Sequence, residues 1–152
     1  MLFRSLATRL NPQVRLGTST PLADPSGDYA WALFRKKADA VQPGAYAALD
    51  AKALKLVGGA DSPQPPAGCG VYAWMMERGQ ADVFIGYCTN AIASQKEMPP
   101  LKVVQMPAPL QVSAAYGVTV RSGTTPAAVA FSQALMAEPA QAVFRRFGFA
   151  AP

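Results

Sequence analysis

Two stretches of the sequence place small residues at the start of a predicted helix: DPSGDYAW, residues 24–31, and PPAGCGVYAW, residues 65–74. The first four amides of a helix have no partners inside the helix and lie at the positive end of its dipole, so an oxyanion is a natural partner for them. In the first stretch, Ser26 offers an amide and a hydroxyl, and Gly27 lets a ligand approach the backbone closely. In the second, Cys69 lies among small residues, and no Ser, Thr, Asp or Asn stands where a cap would be. Both helix starts are therefore candidate anion-binding sites.

Tyr87 is a third candidate, because it directly follows the apolar run VFIG, which predicts a buried strand. In an open α/β sheet, ligands bind beyond the carboxyl ends of the strands, where helices begin and where the Tyr87 hydroxyl could donate. Each feature has an ordinary alternative. Asp24 can cap the first helix with Pro25 at its first position, many helix starts are solvated, and Tyr87 can be a packed aromatic side chain. The convergence of all three features on one edge favours a binding site.

The sequence contains no histidine, which removes the commonest general base, the usual nucleophile triads and most zinc sites. Cys69 and Cys88 stand 19 residues apart and form no metal-ligand pattern, so we expect both to be small buried apolar side chains. We predict no metal site and no cofactor. An enzyme would have to use Cys69 as a thiolate at a helix N-terminus, without a histidine or an evident carboxylate partner. We therefore predict that the protein is not an enzyme.

The charge is basic, with 14 Lys and Arg against 9 Asp and Glu, but the basic residues are scattered. Basic residues are adjacent in one triplet, residues 35–37, and in one pair, residues 145–146. Each group lies at the end of a predicted helix, where cations interact favourably with the helix dipole. We predict no nucleic-acid partner, since a basic stripe with interleaved aromatic residues is missing. No segment reaches the roughly 20 apolar residues of a membrane span, so we predict no membrane insertion. The N-terminus has no signal-peptide pattern, which predicts a cytoplasmic location if residue 1 is the true start.

Predicted strands and helices alternate along most of the chain, which is typical of an α/β fold with a mostly parallel sheet and helices on both faces. The expected strands are residues 14–18, 54–57, 82–86, 101–105 and 116–121. The expected helices are residues 2–10, 28–37, 43–53, 68–78 and 90–96, followed by one capped by Thr125 and one that starts at residue 138.

In these stretches the sequence resembles the periplasmic molybdate-binding proteins of ABC transporters. The likeness lies in VRLGTSTPLADPSGDYAWALF, ALKLVGGADSPQPPAG, ADVFIGYCTNA, LKVVQMPAPLQVSAAYGVTV and FRRFGFA, which occur in this order through nearly the whole chain. The resemblance implies one lobe of a type II periplasmic binding protein, a tetrahedral oxyanion ligand such as molybdate or tungstate, and delivery to a transporter permease. The donors it implies in this lobe are the amides of Ser26 and Cys69 and the hydroxyl of Tyr87.

The chain departs from that pattern in two ways. Relatives tend to have Arg where this chain has Cys69, and nothing here corresponds to their first lobe. We therefore expect residues 1–121 to form the second lobe and residues 122–152 to be C-terminal helices that would pack on the missing lobe. Without that lobe, we expect these helices either to fold back on their own sheet or to cover it in a homo-oligomer such as a dimer, because an apolar surface of that size otherwise favours association. The alternative function is that of a structural, oligomerising remnant that no longer binds ligand.

Overall fold

The computed structural model describes residues 2–150, with side chains from Leu6 onward. The strands are β1 (Leu16–Ser19), β2 (Leu54–Val57) and β3 (Val83–Ile85). The helices are α1 (Leu2–Leu10), α2 (Pro25–Leu33), α3 (Asp39–Val41), α4 (Ala45–Lys52), α5 (Val71–Glu77), α6 (Cys88–Glu97), α7 (Pro126–Met136) and α8 (Glu138–Arg146). A π-helical turn, Phe34–Ala38, joins α2 to α3, and a short 3-10 turn spans Ala108–Leu110.

The three strands form one parallel sheet in the order β2-β1-β3. The central strand pairs Gly17 with Leu54 on one side and Gly17 with Phe84 on the other. All three strands are followed by helices, and the predicted α/β fold class is confirmed. Because the strands are parallel, their carboxyl ends at Ser19, Val57 and Ile85 lie along the same edge of the sheet.

Two of the predicted strands are wrong, since residues 101–105 and 116–121 form no strand within the described part of the chain. The first segment lies between Pro100 and Pro107, and the side chain of Val104 within it is 70% exposed. In the second, Val118 and Val120 are also exposed. Strand propensity reflects how well a side chain fits a half-buried, hydrogen-bonded surface, and neither segment has a neighbouring strand that provides one.

The first compact unit, residues 1–113, contains the sheet and the hydrophobic core. Leu16 of the central strand, Phe34, Leu49 of α4 and Leu110 are fully buried there. Phe34 and Ala38 hold the π-helical turn against the core, so the helical segment continues to Val41. Residues 35–37 consequently lie inside a continuous helical segment, and the prediction that they lie at a helix end is wrong.

The amino ends of β1 and β3 are joined by Arg15 and Asp82, which immediately precede the two strands. The Arg15 amide and Nε donate to Asp82 Oδ2 over 2.8 and 3.1 Å. The Arg15 Nη2 also forms an ion pair with Asp82 Oδ1 at 2.5 Å. The Arg15 guanidinium thereby lowers the pKa of Asp82 from its ordinary value of 3.8 to about 2. This pair lies at the edge of the sheet opposite the carboxyl ends of the strands.

The second compact unit, residues 114–152, contains α7 and α8. Thr125 caps α7, as predicted, because its hydroxyl accepts from the Ala128 amide and Pro126 takes the first helical position. The Phe149 ring contacts Tyr116 and Phe144 edge-to-face, at centroid distances of 5.3 and 5.7 Å. The predicted division at residues 121 and 122 stays a prediction. Within residues 2–150, no helix is both long enough and apolar enough to cross a membrane.

Candidate functional site

The carboxyl edge of the sheet carries the starts of two helices. After β1 the chain turns through Thr20 and enters α2, and after β3 it passes Gly86 and Tyr87 and enters α6. The edge beyond the carboxyl ends of parallel strands is where α/β proteins bind ligands. Ser26, Gly27 and Tyr87, which the sequence predicts as site residues, therefore lie at the expected edge of the sheet.

At the start of α2, Asp24 occupies the N-cap position and Pro25 the first helical position. Asp24 Oδ1 accepts a hydrogen bond of 2.8 Å from the Ser26 amide, and the Asp24 carbonyl accepts one of 2.8 Å from the Gly27 amide. The capping alternative for this helix is thus confirmed. Both amides are used inside the chain, so a ligand role for Ser26 depends on its hydroxyl and stays a prediction.

Position 27 requires glycine because the backbone of Ser19 and Thr20 lies very close to it. A Cβ atom on Gly27 would lie 2.5 Å from the carbonyl carbon of Thr20 and 2.8 Å from the carbonyl oxygen of Ser19. Gly58, with a φ of +80°, lies similarly close to Asp24: a Cβ there would be 2.4 Å from the Asp24 Cβ. The two glycines allow the α2 start to pack directly on the ends of β1 and β2. Whether Gly27 also faces a ligand stays a prediction.

The Ser26 hydroxyl has no hydrogen-bond partner in the described part of the chain, although the residue is only 3% exposed. Leaving a buried polar group unpaired costs on the order of 1–3 kcal/mol, so most buried hydroxyls in proteins are hydrogen-bonded. The Ser26 Oγ lies 4.0 Å from the position that a Cβ on Gly86 would occupy. The hydroxyl is therefore next to the chain segment that leads from β3 into α6.

Two further hydroxyls lie at this edge. The Ser19 Oγ and the Tyr72 hydroxyl are 3.2 Å apart, and Ser19 is fully buried. The Tyr72 ring packs edge-to-face on Phe84 at 5.0 Å, and its Cε1 lies 3.7 Å from the Cβ position of Gly86. Sequence reasoning missed Ser19, Tyr72 and Gly86. The available signal was that Ser19 directly follows the predicted strand 14–18 and that Tyr72 lies in the predicted helix 68–78, whose start has no cap.

Tyr87 is half-buried and occupies the N-cap position of α6, where it provides no side-chain cap. Its ring contacts Tyr29 of α2 edge-to-face at a centroid distance of 5.9 Å, so the packed-aromatic alternative describes its ring. The ligand role of its hydroxyl stays a prediction. The first turn of α6 carries no acidic residue, which leaves the positive end of its dipole at this edge.

Cys69 lies before α5, because that helix begins at Val71, three residues later than predicted. The Cys69 amide donates to the Pro66 carbonyl over 3.1 Å, and the next amide, of Gly70, donates to Glu97 Oε2 over 2.8 Å. The α5 start has no side-chain cap of its own, as predicted. Cys69 and Cys88 are both exposed, so the expectation that they are buried is wrong. Cys69 lies at the surface before α5, and Cys88 lies at the surface in the first position of α6.

A shallow cleft of about 340 Å³ lies beside the ends of β1 and β2. Thr20, Lys55 and Asp61 line it, together with the loop from Gly59 to Pro63. Ser62 folds this loop by accepting a hydrogen bond from the Gly59 amide. The cleft lies at the same edge of the sheet, and its lining includes one cationic side chain, Lys55, and one carboxylate, Asp61.

A parallel sheet with buried hydroxyls and helix starts at its carboxyl edge is typical of α/β proteins that bind small polar ligands. The chain belongs to the family of bacterial extracellular solute-binding proteins, since the family model of that description matches residues 2–150. It is also similar to an uncharacterized protein of Pasteurella multocida (strain Pm70), with 44% identity over 85 residues. That match covers 56% of this chain, and this chain spans 35% of the length of that relative. No solved structure matches the chain significantly.

Proposed function

We propose that this chain binds a tetrahedral dianion, such as molybdate or tungstate, at the carboxyl edge of its sheet. The protein to which it belongs would deliver this ligand to an ABC transporter permease and would work in the periplasm. The single observation that carries the proposal is the buried, unpaired hydroxyl of Ser26 beside Gly86. A bound oxyanion would accept the hydrogen bond that the fold leaves unmade.

The donors at this edge suit an anion that carries no proton of its own. Ser26 and Tyr87 supply neutral hydroxyls, and each hydroxyl can donate one hydrogen bond. The α6 N-terminus adds a favourable field without a charged side chain. Because neutral donors must compensate for the water that the ion loses, we expect binding to need several of them at once. The net charge of +5 adds a weak general attraction for anions.

Isothermal titration calorimetry of the whole chain with sodium molybdate, sodium tungstate and sodium sulfate tests the proposal. We expect heat of binding with at least one of these ions, and a loss of about tenfold in affinity for Ser26→Ala and for Tyr87→Phe. Ser132→Ala is the matched control, because that hydroxyl bonds to its own helix in the second unit. Absence of heat at millimolar concentrations of all three ions would contradict the proposal.

The cleft at Thr20 and Lys55 offers a competing location for the same ligand. Lys55→Ala distinguishes the two locations, because Lys55 lines the cleft and its Nζ lies over the Trp31 ring at 5.5 Å. We expect Lys55→Ala to leave the affinity within about twofold of the starting chain if the ligand lies beside Gly86. If Lys55→Ala loses binding and Ser26→Ala keeps it, the ligand lies in the cleft instead.

A second candidate function is self-association, and it is favoured by apolar exposure in the second unit. The exposed large hydrophobic side chains there include Tyr116, Val118, Val120, Val129, Phe131, Met136, Val143 and Phe147. Such surfaces commonly mark contacts with another protein, and we propose a second copy of this chain as the occupant. Light scattering after size exclusion tests this. We expect a dimer that Phe131→Glu converts to a monomer, whereas a monomer at all concentrations would contradict it.

A further inference from the structure

We infer that Tyr72, oriented by Ser19, is a further ligand-binding residue of this site, and that the ligand occupies the space beside Gly86. The inference rests on the proposed function, since it names donors of the same site. It differs from the sequence-based set, which placed the donors at the starts of α2 and α5 and at Tyr87. The structure uses the Ser26, Gly27, Cys69 and Gly70 amides in internal hydrogen bonds.

The space beside Gly86 is defined by the two groups that border it. A Cβ atom on Gly86 would have the Tyr72 Cε1 at 3.7 Å and the Ser26 Oγ at 4.0 Å as its neighbours. Both distances are ordinary van der Waals contacts, so a methyl group at this position displaces neither side chain. Gly86 itself is exposed, so this space is open to solvent. One side chain from α2 and one from α5 therefore border the exposed Gly86 at the end of β3, and the Ser26 Oγ itself is buried.

The hydrogen bond between Ser19 and Tyr72 determines which way the hydroxyl proton of Tyr72 points. Either hydroxyl can donate over their separation of 3.2 Å. When an anion is present, the favoured arrangement has Ser19 donating to the Tyr72 oxygen, so that the Tyr72 proton points outward to the ligand. Each hydrogen bond in such a chain polarises the next, which strengthens the outer one. Ser19 is thus a positioning residue, and Tyr72 makes the contact.

The contact of Tyr72 with Phe84 makes Tyr72→Phe a clean test. The edge-to-face packing at 5.0 Å belongs to the ring, so this variant keeps the packing and removes only the hydroxyl. We expect about a tenfold loss of affinity for molybdate or tungstate, whichever binds the starting chain, because a hydrogen bond to a charged group is lost. Tyr116→Phe, which removes a phenol in the second unit, is the matched control and should leave affinity unchanged.

A double-mutant cycle separates binding from a merely structural hydrogen bond. If Ser19 acts through Tyr72, Ser19→Ala weakens binding less than Tyr72→Phe does. The double variant then binds within about twofold of Tyr72→Phe alone. A purely structural pair would instead lower the melting temperature in each single variant and leave the affinity of the folded fraction unchanged. That outcome would overturn the inference.

Gly86→Ala tests the location of the ligand. The added methyl group meets no atom closer than 3.7 Å, so we expect the melting temperature of the free chain to stay unchanged. The same methyl group occupies the space assigned to the ligand, so affinity should fall by at least about tenfold. If the starting chain binds no oxyanion, the proposed function fails. If the starting chain binds and both Tyr72→Phe and Gly86→Ala bind equally well, only this inference is overturned.

Discussion

The carboxylate of Asp24 accepts a hydrogen bond of 2.8 Å from the amide of Ser26, and this contact separates the two polar groups of the serine. The amide belongs to the helix cap. The hydroxyl is buried and has no hydrogen-bond partner in the described part of the chain. One residue therefore serves the fold through its backbone and is proposed to serve binding through its side chain.

Asp24→Ala should lower the free energy of unfolding by about 1–2 kcal/mol, because it removes the N-cap of α2. Asp24→Asn should cost less, since its side-chain oxygen can still accept from the Ser26 amide. Urea denaturation followed by circular dichroism measures both. Equal stability of Asp24→Ala and the starting chain would show that the cap contributes nothing.

Ser26→Ala should not destabilise the ligand-free chain, and it should raise its free energy of unfolding by up to about 1 kcal/mol. The reason is that the variant removes a buried hydroxyl that has no hydrogen bond in the fold. Urea denaturation without ligand measures the effect, beside the loss of binding expected for the same variant. A loss of stability greater than about 1 kcal/mol would mean that the hydroxyl has a structural role.

Gly27→Ala should destabilise the chain by about 2 kcal/mol, because the new methyl group would lie 2.5 Å from a backbone carbon of Thr20. Backbone atoms in this turn can move only if α2 shifts away from β1. Gly117→Ala is the matched control, since a Cβ there would meet no atom within 4 Å, and its effect should stay within about 0.5 kcal/mol. Thermal unfolding of the two variants gives the comparison, and equal melting temperatures would contradict it.

The ion pair of Arg15 and Asp82 should make the stability of the fold depend on pH in the acidic range. Because the guanidinium lowers the pKa of Asp82 from 3.8 to about 2, the carboxylate contributes its full stability above the unfolded value of 3.8. This contribution is lost as the pH falls through the folded value of about 2. The difference in melting temperature between the starting chain and Asp82→Asn should therefore be larger at pH 5 than near pH 2.

Asp61→Asn controls for the loss of one negative charge, because Asp61 is exposed in the loop after β2. We expect its melting temperature to differ from that of the starting chain by a similar, small amount at both pH values. If Asp82→Asn behaves like Asp61→Asn, the ion pair with Arg15 does not stabilise the fold in solution.

Local interactions explain what the sequence predicted correctly. The α/β class, the order of most elements, the Asp24 capping alternative and the Thr125 cap all depend on residues a few positions apart. The two wrong strands show the limit of such reasoning. Residues 101–105 and 116–121 have strand-forming side chains, but a strand also needs a hydrogen-bonding neighbour, which neither segment has in the described structure.

The sequence by itself determined which residues carry hydroxyls, and it directed attention to Ser26 and Tyr87. Only the tertiary structure decided which donors are used by distant parts of the chain, because Glu97 accepts a hydrogen bond from the amide of Gly70, 27 residues away. It also brought Ser19 to Tyr72, which are 53 residues apart in the chain. Such contacts arise from parallel strand pairing and helix packing, and these depend on the whole arrangement of the sheet rather than on any local pattern.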